Sequence, residues 1–570
     1  MRFHALACDF DGTIAHHGRV DEATLAALER LVASGRKLLL VTGRQLDDLL
    51  EVFPHVSLFA WVVAENGALL YQPSTREERL LGDPPPEEFI AALEGRGVHP
   101  LSRGRNIVAT WRPHEVDVLE TICELGLELQ VIFNKGAVMV LPPGVNKGTG
   151  LRAVLDELRL SPHNVVGVGD AENDHAFLRV CEFAAVVDNA LPLLKKRADW
   201  VTPSPRGAGV VELIHALLKD DLSSFEAAAA RRSIPVGVCA DGSELRLPPA
   251  GVNVLVAGPS GSGKSTVTST LLERWTERGY QFCLIDPEGD YDTLEGAVVL
   301  GDGRHAPSVS EIVQLLMHPA ENVVVNLLAL PLSDRPAFFA SLLPRLIELR
   351  SQVGRPHWLV VDEAHHLLPS GFDPTTRGLP PFLGGLLAVT VHPDHVTASV
   401  LSTIDAVFAV GGEPRATLKS FTRPLGLRAP ALPASPSLPG GVLAWFKGRD
   451  DLPCYLRVPP PRQQRHRHRR KYAVGELGPD KSFYFRGPRQ ALNLRAQNLA
   501  LFVQMAEGID DETWTHHLAR GDYSRWFREA IKDEDLANAM DRIEARQDLT
   551  PDESRARMKS LVEDRYTGAS

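Results

Sequence analysis

The stretch Gly258 to Ser265 reads GPSGSGKS, and it decides how the middle of this 570-residue chain folds. It fits the phosphate-binding pattern G-x-x-x-x-G-K-[ST] at every fixed position. Val252 to Ala257 is predicted to be a buried strand that enters the loop, and Thr266 to Trp275 a helix that leaves it. Backbone N–H groups of such a loop, with the positive end of the helix behind them, form a site for phosphate. The pattern predicts that the chain binds a nucleoside triphosphate.

The loop and a later strand end supply the residues expected to handle ATP and its Mg²⁺ ion. Lys264 is expected to reach the β- and γ-phosphates, and the hydroxyl of Ser265 to hold the metal. The apolar strand Trp358 to Val361 ends in Asp362 and Glu363. Asp362 is expected to bind the same Mg²⁺ through water, and Glu363 to polarise the attacking water, which favours hydrolysis over a kinase reaction. The other predicted ATP contacts are Gly258, Ser260, Gly261, Ser262, Gly263 and Thr266.

The amino-acid composition limits the classes of protein to which this chain can belong. The hydrophobic fraction of 44% and the charged fraction of 23% are those of a soluble protein, and the length predicts roughly two to four domains. We find neither a run of about 18 apolar residues nor a secretion signal, so we expect a cytoplasmic protein with no membrane partner. Six cysteines without a CxxC pair predict neither a zinc site nor a disulfide framework. The net charge of -11 argues against a chain coated in nucleic acid.

The start of the chain carries another acidic motif. Ala5 to Cys8 is predicted to be a buried strand that ends in Asp9-Phe10-Asp11-Gly12-Thr13. Residues two apart on an extended chain point to the same side, so Asp9 and Asp11 share a face. Two carboxylates in that position repel each other unless a cation holds them, and Mg²⁺ is well suited to oxygen ligands.

The motif DFDGT resembles the first motif of the haloacid dehalogenase superfamily, and three later stretches agree with that family. They are Thr42-Gly43-Arg44 after a predicted strand at Leu38 to Val41, Lys147 in GVNKGTGL, and GDAEND after the strand Val165 to Val168. The resemblance implies a substrate phosphate held by Thr42, Gly43, Arg44 and Lys147. It implies Mg²⁺ ligands at Asp9, Asp11, Asp170 and Asp174.

The same resemblance implies a mechanism. Asp9 would attack phosphorus and form an aspartyl-phosphate, while Asp11 protonates the leaving oxygen and later activates water. Thr42 and Lys147 would complete the catalytic set by holding the phosphoryl group and offsetting its charge. An aspartate two positions after the nucleophile is what the family's phosphatases carry, so the expected activity is that of a phosphatase.

A cap domain is expected between the second and third motifs, which are about 100 residues apart. Glu65-Asn66-Gly67-Ala68 resembles the ENGA turn of the capped, Cof-like subfamily that includes sugar-phosphate phosphatases. The predicted α/β cap covers about 80–143, with helices at Glu87 to Leu93 and His114 to Glu124 and strands at Asn106 to Thr110, Leu129 to Phe133 and Val138 to Leu141. A cap excludes water and polymers, which favours a small phosphorylated metabolite over a nucleic-acid end. Arg103 and Arg105 could face the substrate, although exposed arginines are more often solvated.

Two further stretches of the central domain resemble the HerA/FtsK class of ring-forming ATPases. DPEGDY, at Asp286 to Tyr291, resembles the DPxGxY segment of that class, and SVLSTIDAVFAVG resembles the part after its sensor strand. His392 stands where the class commonly has glutamine. The resemblance implies an ATPase and a homo-oligomer, with a ring as one form. Which arginine would complete a neighbour's site stays open among Arg355, Arg415 and Arg423.

The last part of the chain begins with a basic run. Arg462 to Lys471, RQQRHRHRRK, has six permanent cations and no acid, which fits either a nucleic-acid contact or a solvated linker. Beyond it we predict a strand at Lys481 to Arg486 and helices at Gln490 to Glu507, Asp511 to Ala519, Tyr523 to Ile531 and Glu534 to Arg546. We expect the aromatic residues of these helices to pack in the core rather than to form a platform for stacking bases: Trp514, Tyr523, Trp526 and Phe527.

These patterns predict an α/β protein of several domains. A Rossmann-like haloacid dehalogenase-type domain with its inserted cap is expected at 1–221, a P-loop ATPase of HerA/FtsK type at 222–457, a basic linker at 458–475 and a mainly helical domain at 476–570. The leading hypothesis is a phosphatase for a small phosphorylated metabolite fused to an ATPase. One alternative is a nucleic-acid machine with a HerA-like translocase and a phosphatase for nucleotides or DNA ends. Another is a bifunctional kinase and phosphatase.

Overall fold

The computed structural model describes residues 1–134, 136–228, 232–371, 384–433, 441–448, 453–462, 477, 481–490, 492–531, 533–546 and 548–567. Apart from Arg462, the basic run at 462–471 lies outside the described residues. The chain divides into two compact units, Met1–Arg462 and Gln463–Ser570. Among the described helices, none is both long and apolar enough to cross a bilayer.

The first part of the chain forms an eight-stranded sheet and, inserted into it, a four-stranded cap sheet. The strands are β1 (Ala5–Cys8), β2 (Lys37–Val41), β3 (Trp61–Ala64), β4 (Leu69–Gln72), β5 (Glu77–Leu80), β6 (Ser102–Arg103), β7 (Val108–Trp111), β8 (Gln130–Asn134), β9 (Ala137–Leu141), β10 (Val165–Gly169), β11 (Phe183–Val186) and β12 (Trp200–Val201). The helices are α1 (Glu22–Ala33), α2 (Leu46–Val52), α3 (Glu87–Gly95), α4 (Glu115–Glu124), α5 (Lys147–Glu157), α6 (His175–Leu178), α7 (Pro192–Lys195) and α8 (Arg206–Asp220).

The order of the large sheet brings the predicted acidic motifs together. It runs β12-β11-β10-β1-β2-β3-β4-β5, and β1 lies between β10 and β2, parallel to both. The motifs that follow these three strands therefore emerge at one edge of the sheet. The cap sheet has the order β6-β7-β9-β8, and α3 and α4 pack on it through buried apolar residues that include Phe89, Leu93, Val118 and Val138.

The central part of the chain forms a second sheet of eleven strands. Its strands are β13 (Ile234–Cys239), β14 (Glu244–Leu247), β15 (Val254–Ala257), β16 (Phe282–Asp286), β17 (Ala297–Leu300), β18 (Asn322–Asn326), β19 (Trp358–Val361), β20 (Leu386–Thr390), β21 (Ala406–Val410), β22 (Val442–Phe446) and β23 (Cys454–Arg457). Its helices are α9 (Lys264–Glu277), α10 (Val309–Leu316), α11 (Arg335–Val353), α12 (Ala364–Leu367), α13 (Ala398–Ser402) and α14 (Pro414–Thr422). The order is β14-β13-β23-β22-β21-β15-β20-β19-β16-β18-β17, with a parallel centre from β21 to β17.

The two large sheets meet at the amino ends of their strands. His163, in the turn before β10, stacks on Tyr280, just before β16, with ring centroids 3.8 Å apart. Glu182, which precedes β11, accepts a hydrogen bond from the Tyr280 hydroxyl at 3.0 Å. Arg355 is fully buried and donates to the carbonyl oxygen of Arg159 at 2.7 Å. One continuous hydrophobic cluster also includes residues of both sheets, so the two domains form one joined body.

The unit Gln463–Ser570 is a small helical domain with a two-stranded hairpin, β24 (Phe483–Phe485) and β25 (Leu494–Ala496). Its helices are α15 (Leu499–Gly508), α16 (Asp511–Ala519), α17 (Asp522–Trp526), α18 (Glu534–Glu544) and α19 (Pro551–Val562). The helix expected from Gln490 begins only at Leu499, because Leu494–Ala496 pairs with β24 instead. The four aromatic residues expected in the core are buried there, as predicted. The α/β fold class with a helical end is thus confirmed.

Candidate active sites

Buried charged side chains meet at the carboxyl ends of β1 and β10. The ammonium group of Lys147 donates hydrogen bonds to Asp9 Oδ1 and Asp174 Oδ1, both at 2.6 Å. Asp174 Oδ2 accepts the backbone N–H groups of Asp170 and Ala171, each at 2.8 Å. Carboxylate oxygens of Asp9, Asp170 and Asp174 all lie within 4.8 Å of one another. Three buried carboxylates at this spacing are a donor set that fits a hard divalent cation.

The electrostatics of this cluster keep a cation beside the candidate nucleophile. Burial raises the pKa of Asp9, and the nearby carboxylate of Asp174 raises it further. Burial by itself would lower the pKa of Lys147, but the charges of Asp174 and Asp9 outweigh burial and raise it. Lys147 is therefore an ammonium ion that bridges two carboxylates at the start of α5.

Arg44 holds Asp11. Nε and Nη2 of Arg44 donate to the two carboxylate oxygens of Asp11 at 2.6 and 2.7 Å, and Nη1 donates to Asp48 at 2.6 Å. Thr42 is buried at the end of β2, and its hydroxyl accepts the backbone N–H of Arg44 at 3.1 Å. The Asp11 side chain is not one of the three grouped carboxylates, so its place among the metal ligands stays a prediction. No local sequence pattern indicates this bidentate pair.

The ENGA turn ties the cap to the sheet. The buried carboxylate of Glu65 accepts the backbone N–H groups of Arg105 at 2.9 Å and Asn106 at 2.7 Å, which lie between β6 and β7 of the cap. Burial raises the pKa of Glu65. The guanidinium groups that could have faced a substrate are paired with acids, Arg103 with Glu87 and Arg105 with Asp47 and Glu78. Arg105 therefore also links cap and core.

Glycine is required at the centre of that turn. Gly67 has φ +105°, and a Cβ there would lie 2.0 Å from the carbonyl oxygen of Asn146. Asn146 caps α5, so the missing side chain lets the amino end of α5 approach the sheet. Asn66 Oδ1 accepts a hydrogen bond from Asn173 at 2.8 Å, and a Cβ on Gly43 would lie 3.2 Å from the same oxygen.

The loop GPSGSGKS connects β15 to α9 as predicted. Lys264 Nζ donates to the carbonyl oxygens of Gly258 and Pro259, both at 3.0 Å. Gly258 packs closely on β21, since a Cβ there would lie 2.1 Å from the carbonyl oxygen of Val410. The hydroxyl of Ser262 is buried and has no hydrogen-bond partner among the described residues. A buried ammonium and an unused hydroxyl inside a closely packed loop fit a site shaped around phosphate.

The remaining residues of the loop lead into α9. Gly261 and Gly263 take positive φ values, +74° and +104°, and turn the chain toward the helix. Ser265 and Thr266 lie in the first turn of α9. Asp362 directly follows β19, and the backbone N–H of Glu363 donates to Asp362 Oδ1 at 3.0 Å. Only β20 separates β19 from β15, so the loop and the acidic pair share one edge of the sheet.

A further buried carboxylate lies at the same edge. Asp286, the first residue of DPEGDY, accepts the backbone N–H groups of Gly289 and Tyr291, each at 2.8 Å. Burial raises the pKa of Asp286 to about 8, and the carboxylate of Asp362 contributes to the rise. The sequence pattern alone assigns no role to this acid. The structure shows that it fixes its own loop beside Asp362.

The candidate arginines of the central domain have different surroundings. Arg355 is buried where the two sheets join, so it cannot reach the site of a neighbouring chain. Arg423 is exposed and paired with Asp394 at 2.7 Å, and Arg415 is also exposed. Two residues after Glu363, His365 Nδ1 lies 3.1 Å from Thr390 Oγ1.

Comparison with known proteins identifies the first domain. Residues 6–93 and 114–214 match the family described as haloacid dehalogenase-like hydrolase. A phosphoglycolate phosphatase from Methanothermobacter thermautotrophicus is 30% identical over 223 residues, which are 38% of this chain and 98% of the relative. The chain belongs to the haloacid dehalogenase-like hydrolases. A phosphoglycolate phosphatase from Haloarcula marismortui is 33% identical over 220 residues, 37% of this chain and 95% of the relative.

The haloacid dehalogenase-like domain is fused to a second domain of known type. Residues 252–344 match the family described as the central domain of helicase HerA. Among solved structures, a haloacid dehalogenase-like hydrolase from Bacteroides thetaiotaomicron is 18% identical, with 38% of this chain and 99% of that one covered at a TM-score of 0.34. The predicted fusion of a haloacid dehalogenase-like hydrolase with a HerA-like domain is confirmed, and with it the expectation of an enzyme. The roles of single residues stay predictions.

Proposed function

We propose that the first domain is a Mg²⁺-dependent phosphomonoester hydrolase that works through an aspartyl-phosphate on Asp9. The observation that carries this proposal is the contact of Asp9 Oδ1 with Lys147 Nζ at 2.6 Å, beside the carboxylates of Asp170 and Asp174. A carboxylate nucleophile, a fixed ammonium ion and a place for a divalent cation are what phosphoryl transfer to a carboxylate needs.

Each of these residues has its own role in the proposed reaction. Asp9, Asp170 and Asp174 would hold Mg²⁺, which when bound offsets the negative charge of the phosphoryl group. Asp9 attacks phosphorus, and the bond to the leaving oxygen breaks as Asp11 gives that oxygen a proton. Asp11 then takes a proton from a water molecule, whose oxygen attacks phosphorus and releases phosphate and the free carboxylate of Asp9. Arg44 orients Asp11 for both steps.

A cleft between the cap and the sheet supports a small, anionic substrate. It encloses about 560 Å³ and extends from cap strand β8 to α5 and α6. Its walls carry the cationic side chains of Lys147, Arg152 and Arg179 and a single acid, Glu172. Both relatives above are named for phosphoglycolate, a small phosphorylated carboxylic acid. We infer a small phosphorylated metabolite, and among such compounds one that carries a carboxylate as well as a phosphate.

We propose that the central domain binds and hydrolyses ATP with Mg²⁺. Lys264 Nζ would give up its hydrogen bonds to the carbonyl oxygens of Gly258 and Pro259 and contact the β- and γ-phosphates instead. Ser265 and Asp362 would hold the Mg²⁺ ion, and Glu363 would orient the attacking water. A direct transfer from ATP to the phosphatase substrate is disfavoured, because both sites lie at strand ends that face away from the joined amino ends of the sheets. Domain boundaries after Asp221 and Arg457 are part of this proposal.

Phosphate release by the full-length chain tests both parts. The substrates are phosphoglycolate, a panel of sugar phosphates, nucleotides and a 5′-phosphorylated oligonucleotide, each with Mg²⁺. Asp9→Asn should lower turnover of the small metabolite by a factor on the order of 10³ or more and leave ATP hydrolysis unchanged. Lys264→Ala should do the reverse. Asp156→Asn, an exposed acid on α5, is the matched control. Turnover confined to nucleotides or the oligonucleotide would overturn the metabolite phosphatase.

A further inference from the structure

Two cysteines that are far apart in sequence meet at one side of the central sheet. Cys239 ends β13, and Cys454 begins β23, 215 positions later. The strands pair antiparallel with Cys239 opposite Leu456, so Cys454, two residues away, points to the same face. The two Sγ atoms lie 2.9 Å apart. A disulfide bond is about 2 Å long, so a shift of about 1 Å would allow the bond.

The surroundings keep this thiol pair together. A Cβ on Gly237 would lie 2.4 Å from the carbonyl oxygen of Arg457, so the two strands approach closely beside the cysteines. Both cysteines are half-buried. Burial raises the pKa of Cys454, and the contact with Cys239 raises it further, to about 12. Under reducing conditions Cys454 therefore rests as a thiol, with its Sγ within hydrogen-bond distance of Cys239 Sγ.

We propose that Cys239 and Cys454 form a reversible disulfide by exchange with a low-molecular-weight disulfide such as oxidised glutathione. The thiolate of one cysteine attacks a sulfur of the small disulfide and expels one small thiolate, which leaves a mixed disulfide on the protein. The other cysteine loses its proton and attacks the protein sulfur, which expels the second small thiolate. Two protein thiols are oxidised, and one small disulfide is reduced to two thiols.

The position of the bond gives it a mechanical consequence. Arg274, on the phosphate-loop helix α9, donates a hydrogen bond to the carbonyl oxygen of Pro235 in β13. Thr270, also on α9, donates to the carbonyl oxygen of Pro459 at 3.0 Å, just after β23. A disulfide would link β13, the first strand of the central domain, to β23, its last strand, and the backbone of both segments is hydrogen-bonded to α9.

The test uses the full-length chain, first reduced and then incubated with oxidised glutathione. We expect the thiols of Cys239 and Cys454 to disappear together, while the exposed Cys123 forms a mixed disulfide with glutathione. Mass spectrometry without reduction should find a linked pair of peptides that contain Cys239 and Cys454. The midpoint of thermal unfolding should rise by several degrees and return after reduction.

Two variants show whether the link depends on this cysteine pair. Cys454→Ser should lose the link and the thermal shift and leave Cys239 as a mixed disulfide with glutathione. Cys123→Ser removes an exposed thiol of the cap and should behave like the parent chain. The proposal is overturned if Cys239 and Cys454 both stay reactive toward alkylation in excess oxidised glutathione, or if each binds glutathione separately without forming the link.

The C-terminal unit carries an independent candidate site. A cleft of about 460 Å³ opens between the β24–β25 hairpin and the helices α16 and α17. Four basic side chains line it, together with the half-buried ring of Tyr484: Lys481, Arg486, Arg520 and Arg525. Trp526 lies at the base of the cleft and belongs to the core.

Positive charge is in excess around this cleft. Two carboxylates line it against the four basic side chains, Asp522 and Glu529. Asp522 lies 2.8 Å from His517 Nδ1, 3.1 Å from Arg525 and 3.5 Å from Arg520. Arg486 is exposed and has no ion pair with any described residue, and its guanidinium lies 5.1 Å from the ring centroid of Tyr484. Basic side chains beside aromatic rings are the arrangement that holds single-stranded nucleic acid through its phosphates and bases.

The geometry points to single-stranded nucleic acid as the ligand of this cleft. The probe is a fluorescent twelve-nucleotide oligothymidylate, and the measurement is its anisotropy with the full-length chain at several salt concentrations. Arg486→Glu and Arg520→Glu should each weaken binding by about 10-fold and reduce its salt dependence. Arg542→Glu, an exposed change on α18 outside the cleft, should alter binding less than about 2-fold.

Two outcomes would overturn this second proposal. In one, binding falls only when the run at 462–471 is neutralised, while Arg486→Glu and Arg520→Glu bind like the parent chain. In the other, an acidic twelve-residue peptide of glutamates displaces the oligonucleotide at equal concentration and depends on the same two arginines, which would assign the cleft to an acidic protein partner.

Discussion

The imidazole rings of His163 and His357 meet edge to face, with centroids 5.5 Å apart, where the two large sheets join. His163 precedes β10, whose carboxyl end carries Asp170, and His357 precedes β19, whose carboxyl end carries Asp362. The amino ends of the two strands therefore meet, and the candidate sites lie at their opposite ends. Any influence of one site on the other has to pass through the strands and the joint between them.

Glu182 is the centre of that joint. Its carboxylate accepts hydrogen bonds from Arg2 at 2.8 Å and from His163 Nδ1 at 2.7 Å. The other ring nitrogen of His163 lies 2.8 Å from the carbonyl oxygen of Arg278, so both ring nitrogens face oxygen atoms. Burial would raise the pKa of Glu182, but the hydrogen bond from His163 and the charges of Arg2 and Arg232 lower it to about 2.

Replacing Glu182 by alanine should weaken the joint strongly. The change leaves the half-buried guanidinium groups of Arg2 and Arg232 without their carboxylate. We expect a loss of about 3 kcal/mol in the free energy of unfolding, measured with denaturant. Glu157→Gln removes an exposed carboxylate paired with Arg79 and should cost less than about 1 kcal/mol. Equal effects of the two changes would show that the Glu182 network does not hold the domains together.

His357 should make stability depend on pH. Burial lowers the pKa of His357 well below its ordinary value, whereas in the unfolded chain it takes a proton near pH 6.5. Below that pH the unfolded state binds more protons, so the free energy of unfolding falls as pH falls, by at most about 1.4 kcal/mol per pH unit for this group. His357→Asn keeps an acceptor for the backbone N–H of Gln281 and cannot be protonated.

We therefore expect a shallower loss of stability for His357→Asn between about pH 6.5 and about pH 5, followed by thermal unfolding at a series of pH values. His305→Asn is the control, because the side chain of His305 is exposed. If His357→Asn and His305→Asn show the same slope as the parent chain, protonation of His357 does not limit stability in that range.

Local patterns were enough to predict the strands that carry the motifs. The strands before Asp9, Thr42, Asp170 and Asp362 are short apolar runs that end in a charged or polar motif, and each was found within one or two residues of its predicted bounds. Such runs identify strands because burial on both faces requires continuous apolar sequence. The parallel order of the strands then brings their ends together.

Contacts between distant segments could not be predicted in the same way. Nothing near Cys239 indicates Cys454, and nothing near Arg355 indicates the carbonyl of Arg159, because pairing across a sheet or a domain joint leaves no periodic signal in sequence. The boundary error at Leu499 has a related cause. The apolar residues before it fit a helix, but pairing with β24 makes them a strand.

Arg44 should matter to the phosphatase reaction alone. Arg44→Lys keeps a positive charge but loses the two parallel hydrogen bonds to Asp11, so Asp11 is no longer held for proton transfer. We expect kcat for the small metabolite to fall by about 10- to 100-fold while ATP hydrolysis is unchanged. Arg79→Lys, in an exposed ion pair with Glu157, should leave both activities as they are. A change only in KM would instead assign Arg44 to substrate binding.

Glu65 should control how firmly the cap is attached. Glu65→Gln replaces one of the two oxygens that accept the backbone N–H groups of Arg105 and Asn106 with an NH₂ group, which cannot accept. Since a buried unsatisfied donor costs about 1–3 kcal/mol, amide hydrogen exchange around residues 104–107 should speed up by about 10-fold or more, and KM should rise more than kcat falls. Glu87→Gln alters an exposed carboxylate of the same cap, paired with Arg103, and serves as the control. Unchanged exchange in Glu65→Gln would mean that the cap is held by its other links, such as the pair of Arg105 with Asp47.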